Sequence, residues 1–247
     1  MATLIDVETR LRGLQGLDDT KHFPLYLFRG QCRDFGNITP LIARRPSKDA
    51  IEQLYQMFRE ADLFAKGIGG YMVGRRDGVA LLQHYGLPTP FIDFTGCLDV
   101  AIFFSLLGAA PGDEAVIYVL NRSKLLDTAL AFELDFLCLP FSEGGRRHRH
   151  WRQDAFVVGP EDWKSPPAGV TFDLLKFPYK DAIEIHTFTV RDGDRADIAD
   201  ILSLKDDPIP HHLLALIQLW AQQKLSSELH QDIKACLSEM IAYVGSN

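Results

Sequence analysis

Apolar residues recur with two different periods along the chain, and this predicts a mixture of helices and strands. Helical spacing predicts helices over 48–66, 77–85, 98–107, 210–224 and 227–243. Short apolar or aromatic runs beside Gly or Pro predict strands over 25–30, 90–95, 115–121, 153–159 and 182–190. Because these elements do not alternate as regular βαβ units, we predict an α+β fold. It would contain small, mostly antiparallel sheets, flanking helices and a C-terminal helical tail.

The domain organisation and the class of protein follow from length and composition. The 247 residues suit a single domain over 1–247 that ends in a helical pair at 208–245. A net charge of −7 argues against a dedicated surface for duplex nucleic acid. The four cysteines form no CxxC pair and no apolar run is long enough to span a bilayer, so we expect a cytoplasmic protein without a membrane partner.

The first candidate for chemistry is the run Phe28-Arg29-Gly30-Gln31, where a predicted strand reaches a glycine. An arginine there presents a fork of donors that suits a phosphate or a carboxylate. The alternative is a structural ion pair between Arg29 and a buried carboxylate such as Asp93. Both interpretations stay open from the residues alone.

Two further polar segments lie between 83 and 104. His84 and Tyr85 precede the stop signals Gly86 and Pro88, so they could serve as a proton shuttle and a stacking ring, or only in capping and core packing. The segment Asp93-Phe94-Thr95 leads into the apolar helix at 98–107. A strand that ends in polar groups can hold a site rigidly, although its polar residues could equally cap that helix.

A basic cluster occupies 146–152, where arginine and histidine surround Trp151. It could bind a phosphate backbone, hold the phosphates of a dinucleotide, or be a solvated loop. His148 and His150 have no evident third ligand, so no metal site is predicted.

These blocks together resemble the FRG domain family, which is named for the motif that stands here as Phe28-Arg29-Gly30. The second block of the resemblance comprises Gln83–Thr89, then Ile92–Thr95, then the apolar helix from Val100. A third block is similar at Arg149, Gln153 and Phe156. The resemblance covers about residues 20–160, which we take as the core of the domain.

The order of the blocks also resembles the ADP-ribosyltransferase fold. This resemblance implies that Arg29 binds the phosphates or ribose of NAD and that Tyr85 stacks on the nicotinamide. It further implies that Asp93 and Thr95 orient the nicotinamide ribose. Gln153 stands at the late position of the fold, where it can bond a ribose hydroxyl but cannot act as a base. Asp154 would point to the opposite face if 153–159 were a strand.

The resemblance therefore implies a catalytic set and a ligand-binding set. The catalytic set is Arg29, His84, Asp93, Thr95 and Gln153. The ligand-binding set is Arg29, Gly30, Gln31, Tyr85, Phe94 and Arg149. We expect no tightly bound cofactor, NAD as a substrate, and a protein as acceptor or partner. Two alternatives are a non-catalytic module that binds a nucleotide or phospho-ligand, and a nucleic-acid-associated factor that uses the cluster at 146–152.

Overall fold

One antiparallel sheet organises the fold. The computed structural model describes residues 2–15, 24–44, 48–65, 79, 82–132, 134–138, 153–160, 172–196 and 209–244. The strands are β1 (Tyr26–Gln31), β2 (Ile92–Thr95), β3 (Glu114–Asn121), β4 (Leu134–Cys138), β5 (Ala155–Pro160) and β6 (Ile183–Thr189). Their order across the sheet is β4-β5-β2-β1-β3-β6, and every neighbouring pair is antiparallel.

Helices flank this sheet and complete the predicted α+β fold. They are α1 (Leu4–Arg12), α2 (Lys48–Ala65), α3 (Leu98–Leu106), α4 (Arg122–Phe132), α5 (Ile209–Ala221) and α6 (Ser227–Val244), with short 3-10 helices at Leu41–Arg44 and Lys180–Ala182. The described strands join a single sheet rather than the several small ones predicted, because β1 pairs with both β2 and β3. Among the described residues, no helix is long and apolar enough to cross a membrane.

Three buried clusters cover the two faces of the sheet. On one face, a cluster with α1 and α3 covers β1, β3 and β6, and includes Phe28 and Ile117. On that same face, a second cluster joins β5 to α2, α5 and α6. The third cluster lies on the opposite face, where Leu27 and Tyr118 pack with α4 and the segment 172–182. Side chains on adjacent positions of one strand therefore enter different environments.

The strands β1 and β2 pair at one position and then separate. Their register contains the single pair Phe28–Thr95, whereas β1 and β3 pair along six positions from Tyr26 to Gln31. Past the Phe28–Thr95 pair, the β2 backbone continues to pair with β5 on its other edge. The gap between Arg29–Gln31 of β1 and Ile92–Phe94 of β2 is called the β1–β2 split below.

Several predicted boundaries differ from the observed ones. β1 continues through Gln31, one residue beyond the predicted stop at Gly30. β5 begins at Ala155, so the predicted strand start at Gln153 is wrong. The reason is that Asp154 has a φ of 44°, a left-handed conformation that no strand accommodates. In the predicted helix 77–85, residues 79 and 82–84 are helical and Tyr85 lies in a turn, while 77, 78, 80 and 81 lie outside the described residues.

Candidate functional site

Arg29 reaches across the β1–β2 split. By alternation along the strand, its side chain shares a sheet face with Leu27 and Gln31. Its Nη1 donates a 2.7 Å hydrogen bond to the main-chain carbonyl of Asp93, a group that lies where β1 and β2 no longer pair. Burial lowers the pKa of the Arg29 guanidinium, Asp93 opposes that shift, and the positive charge of Arg44 adds to it. Since an arginine stays protonated in proteins, the split holds a partly buried positive charge.

The Asp93 carboxylate faces away from Arg29, so the expected ion pair between these two described residues is wrong. Asp93 lies opposite Val157 of β5, which is buried in the helical cluster on the other side of the sheet. The carboxylate Oδ1 lies 3.8 Å from Nε2 of His84. Arg29 therefore contacts the backbone of Asp93, and His84 contacts its side chain.

Three other predicted residues form one hydrogen-bonded group beside Asp93. Nδ1 of His84 lies 2.9 Å from Oε1 of Gln153; because an amide oxygen only accepts, Nδ1 is the donor. The hydroxyl of Thr95 donates to the main-chain carbonyl of Gln153 at 2.6 Å. All three residues are buried, with exposed fractions of 8% for His84, 5% for Thr95 and 6% for Gln153. Segments far apart in the sequence thus meet at the ends of β2 and β5.

The N-cap of α3 is Cys97, without a side-chain capping bond, so the interpretation of Thr95 as the helix cap is wrong, although Thr95 bonds that residue. Its hydroxyl oxygen accepts a 3.0 Å hydrogen bond from the main-chain nitrogen of Cys97, and Cys97 precedes the first helical residue. The same hydroxyl donates to the main-chain carbonyl of Gln153, so one side chain joins the residue before α3 to the turn before β5. The position of the Thr95 hydroxyl is therefore fixed by the bond that it donates and by the bond that it accepts.

Asp154 lies closer to this group than the sequence indicated. It belongs to a turn rather than a strand, so the expectation that it faces away from Gln153 does not hold. A Cβ placed on Gly96 would lie 2.3 Å from Oδ2 of Asp154, so the carboxylate rests against the Thr95–Cys97 backbone. Burial raises the pKa of the Asp154 carboxyl. Two residues in the sequence could have indicated this arrangement. Asp154 tolerates left-handed φ better than most residues, and Gly96 has no side chain to displace its carboxylate.

Buried polar atoms without hydrogen-bond partners lie at the edges of the split. In the described part of the chain, they include Nε of Arg29, Oε1 of Gln31 and Oδ1 of Asp93. Buried polar atoms are nearly always hydrogen-bonded in native proteins, and each exception requires a physical explanation. Nε of Arg29 and Oε1 of Gln31 lie on one face of the sheet, where a polar ligand would complete their bonding, whereas Oδ1 of Asp93 lies on the other face, near His84.

Gly30 has a packing role that the motif alone does not reveal. A Cβ at this position would lie 1.8 Å from the main-chain oxygen of Ala101 and 2.7 Å from the nitrogen of Ser105. Both atoms belong to the backbone of α3, so neither can move aside alone. The glycine of the Phe-Arg-Gly motif lets α3 approach β1, and this approach fixes the strand that carries Arg29.

The remaining predicted ligand-binding residues lie in different environments. Tyr85 is 2% exposed and belongs to the helical cluster with α2, α5 and α6. Phe94 is buried on the same sheet face as Arg29. Arg149 and the basic cluster at 146–152 lie outside the described residues.

A hydrogen bond next to Arg29 was not anticipated from the sequence. Tyr118 lies directly opposite Arg29 on β3, and its hydroxyl donates a 2.8 Å hydrogen bond to Oδ1 of Asp34. Burial raises the pKa of this tyrosine, and the bond to Asp34 raises it further. Asp34 also accepts from the main-chain nitrogen of Gly36 at 2.7 Å, so Tyr118 fixes the loop that follows β1.

The comparisons with known proteins identify one domain. Residues 24–114 match the family model described as FRG domain. No curated protein matches the chain, and no solved structure does. The matched range contains Arg29, His84, Asp93 and Thr95, and it ends before Gln153. Residues 24–114, which are 91 of the 247 residues, are therefore similar to the FRG domain family.

Proposed function

We propose that this protein binds NAD at the β1–β2 split and either transfers ADP-ribose from it or cleaves its nicotinamide–ribose bond. The observation that carries this proposal is a pair of buried atoms at the split, Nε of Arg29 and Oε1 of Gln31, which have no hydrogen-bond partner among the described residues. NAD offers an anionic pyrophosphate and several ribose hydroxyls, which match one cationic donor and one acceptor.

The positive charge of Arg29 supports a phosphate-bearing ligand. Nη1 is already engaged with the carbonyl of Asp93, and Nε is buried without a partner among the described residues. Hydrogen bonds between a guanidinium and a phosphate are charge-assisted and stronger than neutral ones. The charge of Arg44, which acts on Arg29 with the same sign, would also favour an anion.

The amide oxygen of Gln31 supports recognition of a hydroxyl group. Gln31 is 9% exposed, and its Oε1 is buried on the same sheet face as Arg29. A ribose hydroxyl can donate to a carboxylate or an amide oxygen and accept from a neighbouring donor. Such a ligand would satisfy acceptor atoms that cost free energy while buried and unbonded.

The strand order supports the resemblance to the ADP-ribosyltransferase fold. The three blocks of that resemblance stand on or beside β1, β2 and β5, and these strands are neighbours in the order β5-β2-β1. Arg29 and Thr95 thus lie on neighbouring strands and Gln153 lies in the turn before the third, although they are distant in the sequence. This proximity is what a shared site would require.

A second candidate function is a module that binds a nucleotide without turnover. Gln153 favours this function, because the residue is uncharged and cannot act as a base. Its amide oxygen lies 2.9 Å from Nδ1 of His84. A nucleic-acid role would depend on 146–152, outside the described residues, so no contact or distance argues for it.

A calorimetric titration with NAD, followed by assay of the mixture for released nicotinamide, tests the proposal. We expect the wild type to bind and Arg29→Lys to bind at least about tenfold more weakly, because lysine keeps the charge but loses the forked donors. Arg195→Lys, an exposed arginine after β6, is the matched control and should bind as the wild type does.

The outcomes separate the candidates. Binding with nicotinamide release supports the enzyme, and binding without release supports the module. An absence of NAD binding by the wild type would overturn the proposal.

A further inference from the structure

The loop that follows β1 begins beside the β1–β2 split. Gln31, the last residue of β1, has a buried Oε1 without a partner among the described residues. Phe35 lies four residues further along the chain, so the two are separated by no more than about 14 Å. A dinucleotide whose phosphates and ribose bind at the split would therefore have one of its bases within reach of this loop.

Hydrogen bonds hold this loop at both ends. At its start, Oδ1 of Asp34 accepts a 2.8 Å hydrogen bond from the hydroxyl of Tyr118. At its end, the main-chain nitrogen of Ile38 donates a 2.9 Å hydrogen bond to Oδ1 of Asp173. Tyr118 lies directly opposite Arg29 on β3, so both side chains share one face of the sheet. The loop is therefore anchored on the face that carries Arg29.

Phe35 presents an aromatic ring between these two anchors. Its main-chain carbonyl accepts a 3.1 Å hydrogen bond from Nδ2 of Asn37, and its side chain remains 40% exposed. A single exposed apolar side chain is common on protein surfaces, but this one belongs to an anchored loop beside the split. A ring that is already held in place loses little conformational freedom when a flat ligand stacks on it.

A positive charge beside this ring decides which base it suits. The guanidinium carbon of Arg33 lies 4.7 Å from the centre of the Phe35 ring, which is a cation–π contact. The nicotinamide ring of NAD is itself positively charged, so stacking it here would bring two cations together. Adenine is uncharged at neutral pH, and bases stack on aromatic rings and on guanidinium planes. Arg33 and Phe35 therefore suit the adenine end of NAD.

We infer that Phe35 is the platform on which the adenine of NAD stacks while the pyrophosphate binds Arg29 at the β1–β2 split. This inference rests on the proposed function and names the part of the ligand that the loop after β1 recognises. The ligand class is then a nucleotide that carries both an uncharged base and a pyrophosphate. A ligand without the base would lose the contact with Phe35.

Calorimetric titrations with NAD and with ADP-ribose, which lacks nicotinamide, test this assignment. We expect Phe35→Ala to weaken the binding of both ligands about fivefold or more, the usual loss when a base loses its aromatic stacking partner. Phe35→Tyr keeps an aromatic ring and should bind both ligands as the wild type does. Leu107→Ala is the control, since Leu107 is 48% exposed and follows α3, which packs on the opposite face of the sheet.

Tyr118→Phe provides an independent test that leaves the ring of Phe35 in place. The change removes the hydroxyl that holds Asp34, so the loop loses one anchor. We expect ADP-ribose to bind this variant about two- to tenfold more weakly, the loss expected for one hydrogen bond. Wild-type affinity in this variant would contradict the role of the anchored loop.

The outcomes distinguish this inference from the proposed function. Unchanged NAD affinity in Phe35→Ala would overturn the assignment of Phe35 alone. Weaker binding of NAD with unchanged binding of ADP-ribose would mean that the ring contacts nicotinamide, and it would overturn the adenine assignment. Failure of the wild type to bind NAD would overturn the proposed function together with this inference.

Discussion

At Gly30, the sheet and α3 approach so closely that a methyl group has no room. The nearest atoms to a built Cβ are Ala101 O at 1.8 Å and Ser105 N at 2.7 Å, both in the helix backbone. A side chain there would push α3 away from β1. The motif glycine therefore shapes the strand that presents Arg29.

We predict that Gly30→Ala lowers the free energy of unfolding by about 1–3 kcal/mol, the usual cost of overpacking a core. Urea unfolding measures this loss. Gly13→Ala is the control, because the nearest atom to its built Cβ, Arg10 O, lies at 3.7 Å, an ordinary contact. Equal stability of the two variants would contradict the close approach.

Single residues show where sequence reasoning succeeded and where it did not. The short motifs singled out Arg29 and Asp93, which are in contact through the backbone of Asp93, and His84, which lies beside the Asp93 carboxylate. The partner of Arg29 did not follow, because the sequence cannot show that β1 and β2 separate after one pair. Because of that separation, the main-chain carbonyl of Asp93 can accept from Arg29. Arg29 therefore bonds the backbone of Asp93 and not its carboxylate.

At the scale of elements, α1 lies against the edge strand β6. The helix begins with a capping box in which Thr3 and Asp6 bond each other's backbone nitrogens, and Thr189 N donates to Ala2 O at 3.2 Å. His186 of β6 lies largely buried near this contact, 3.6 Å from Glu184. Burial lowers the pKa of His186, Glu184 opposes the shift, and Arg10 of α1 adds to it.

This histidine predicts a pH dependence of stability. Because its pKa is lower in the folded chain than its ordinary value of 6.5, the unfolded state binds more protons once the pH falls below that value. Folding is then penalised in acid and not at neutral or higher pH. We expect the wild type to lose more stability than His186→Gln between about pH 7.5 and pH 5.5, measured by urea unfolding. Parallel stability curves would show that His186 contributes nothing to this dependence.

Elements with strong periodicity were predicted well, and those set by context were not. The C-terminal helices were predicted at 210–224 and 227–243 and observed at Ile209–Ala221 and Ser227–Val244. The edge strand β4 was missed, since its pairing with β5 decides its conformation. β5 starts two residues after its predicted start at Gln153, because the left-handed φ of Asp154 interrupts the extended chain.

In the molecule as a whole, the C-terminal helical pair belongs to the core. Its apolar stripes left open whether it packs on the domain or on a partner. Ile217, Trp220 and Ile233 are at most 1% exposed and share a buried cluster with Tyr85 and with Val157 of β5. The thiol of Cys236 also donates to the main-chain carbonyl of Tyr85 at 2.7 Å. The pair therefore supports the segment that carries His84.

We predict that Trp220→Ala lowers the free energy of unfolding by about 3–5 kcal/mol, as expected for a large buried aromatic side chain. Because the cluster joins the helical pair to the sheet, unfolding should remain a single transition by fluorescence and circular dichroism. Leu219→Ala is the control, since Leu219 is 54% exposed, and it should change stability by at most about 0.5 kcal/mol. Separate unfolding of the helical pair would contradict this account.

The central claim is that the β1–β2 split binds NAD through the unpartnered donor of Arg29. A crystal structure of the wild type with NAD tests it most directly. We expect a pyrophosphate oxygen within about 3 Å of Nε of Arg29, with a ribose hydroxyl on Gln31. NAD bound elsewhere, with Nε of Arg29 still unpartnered, would contradict it.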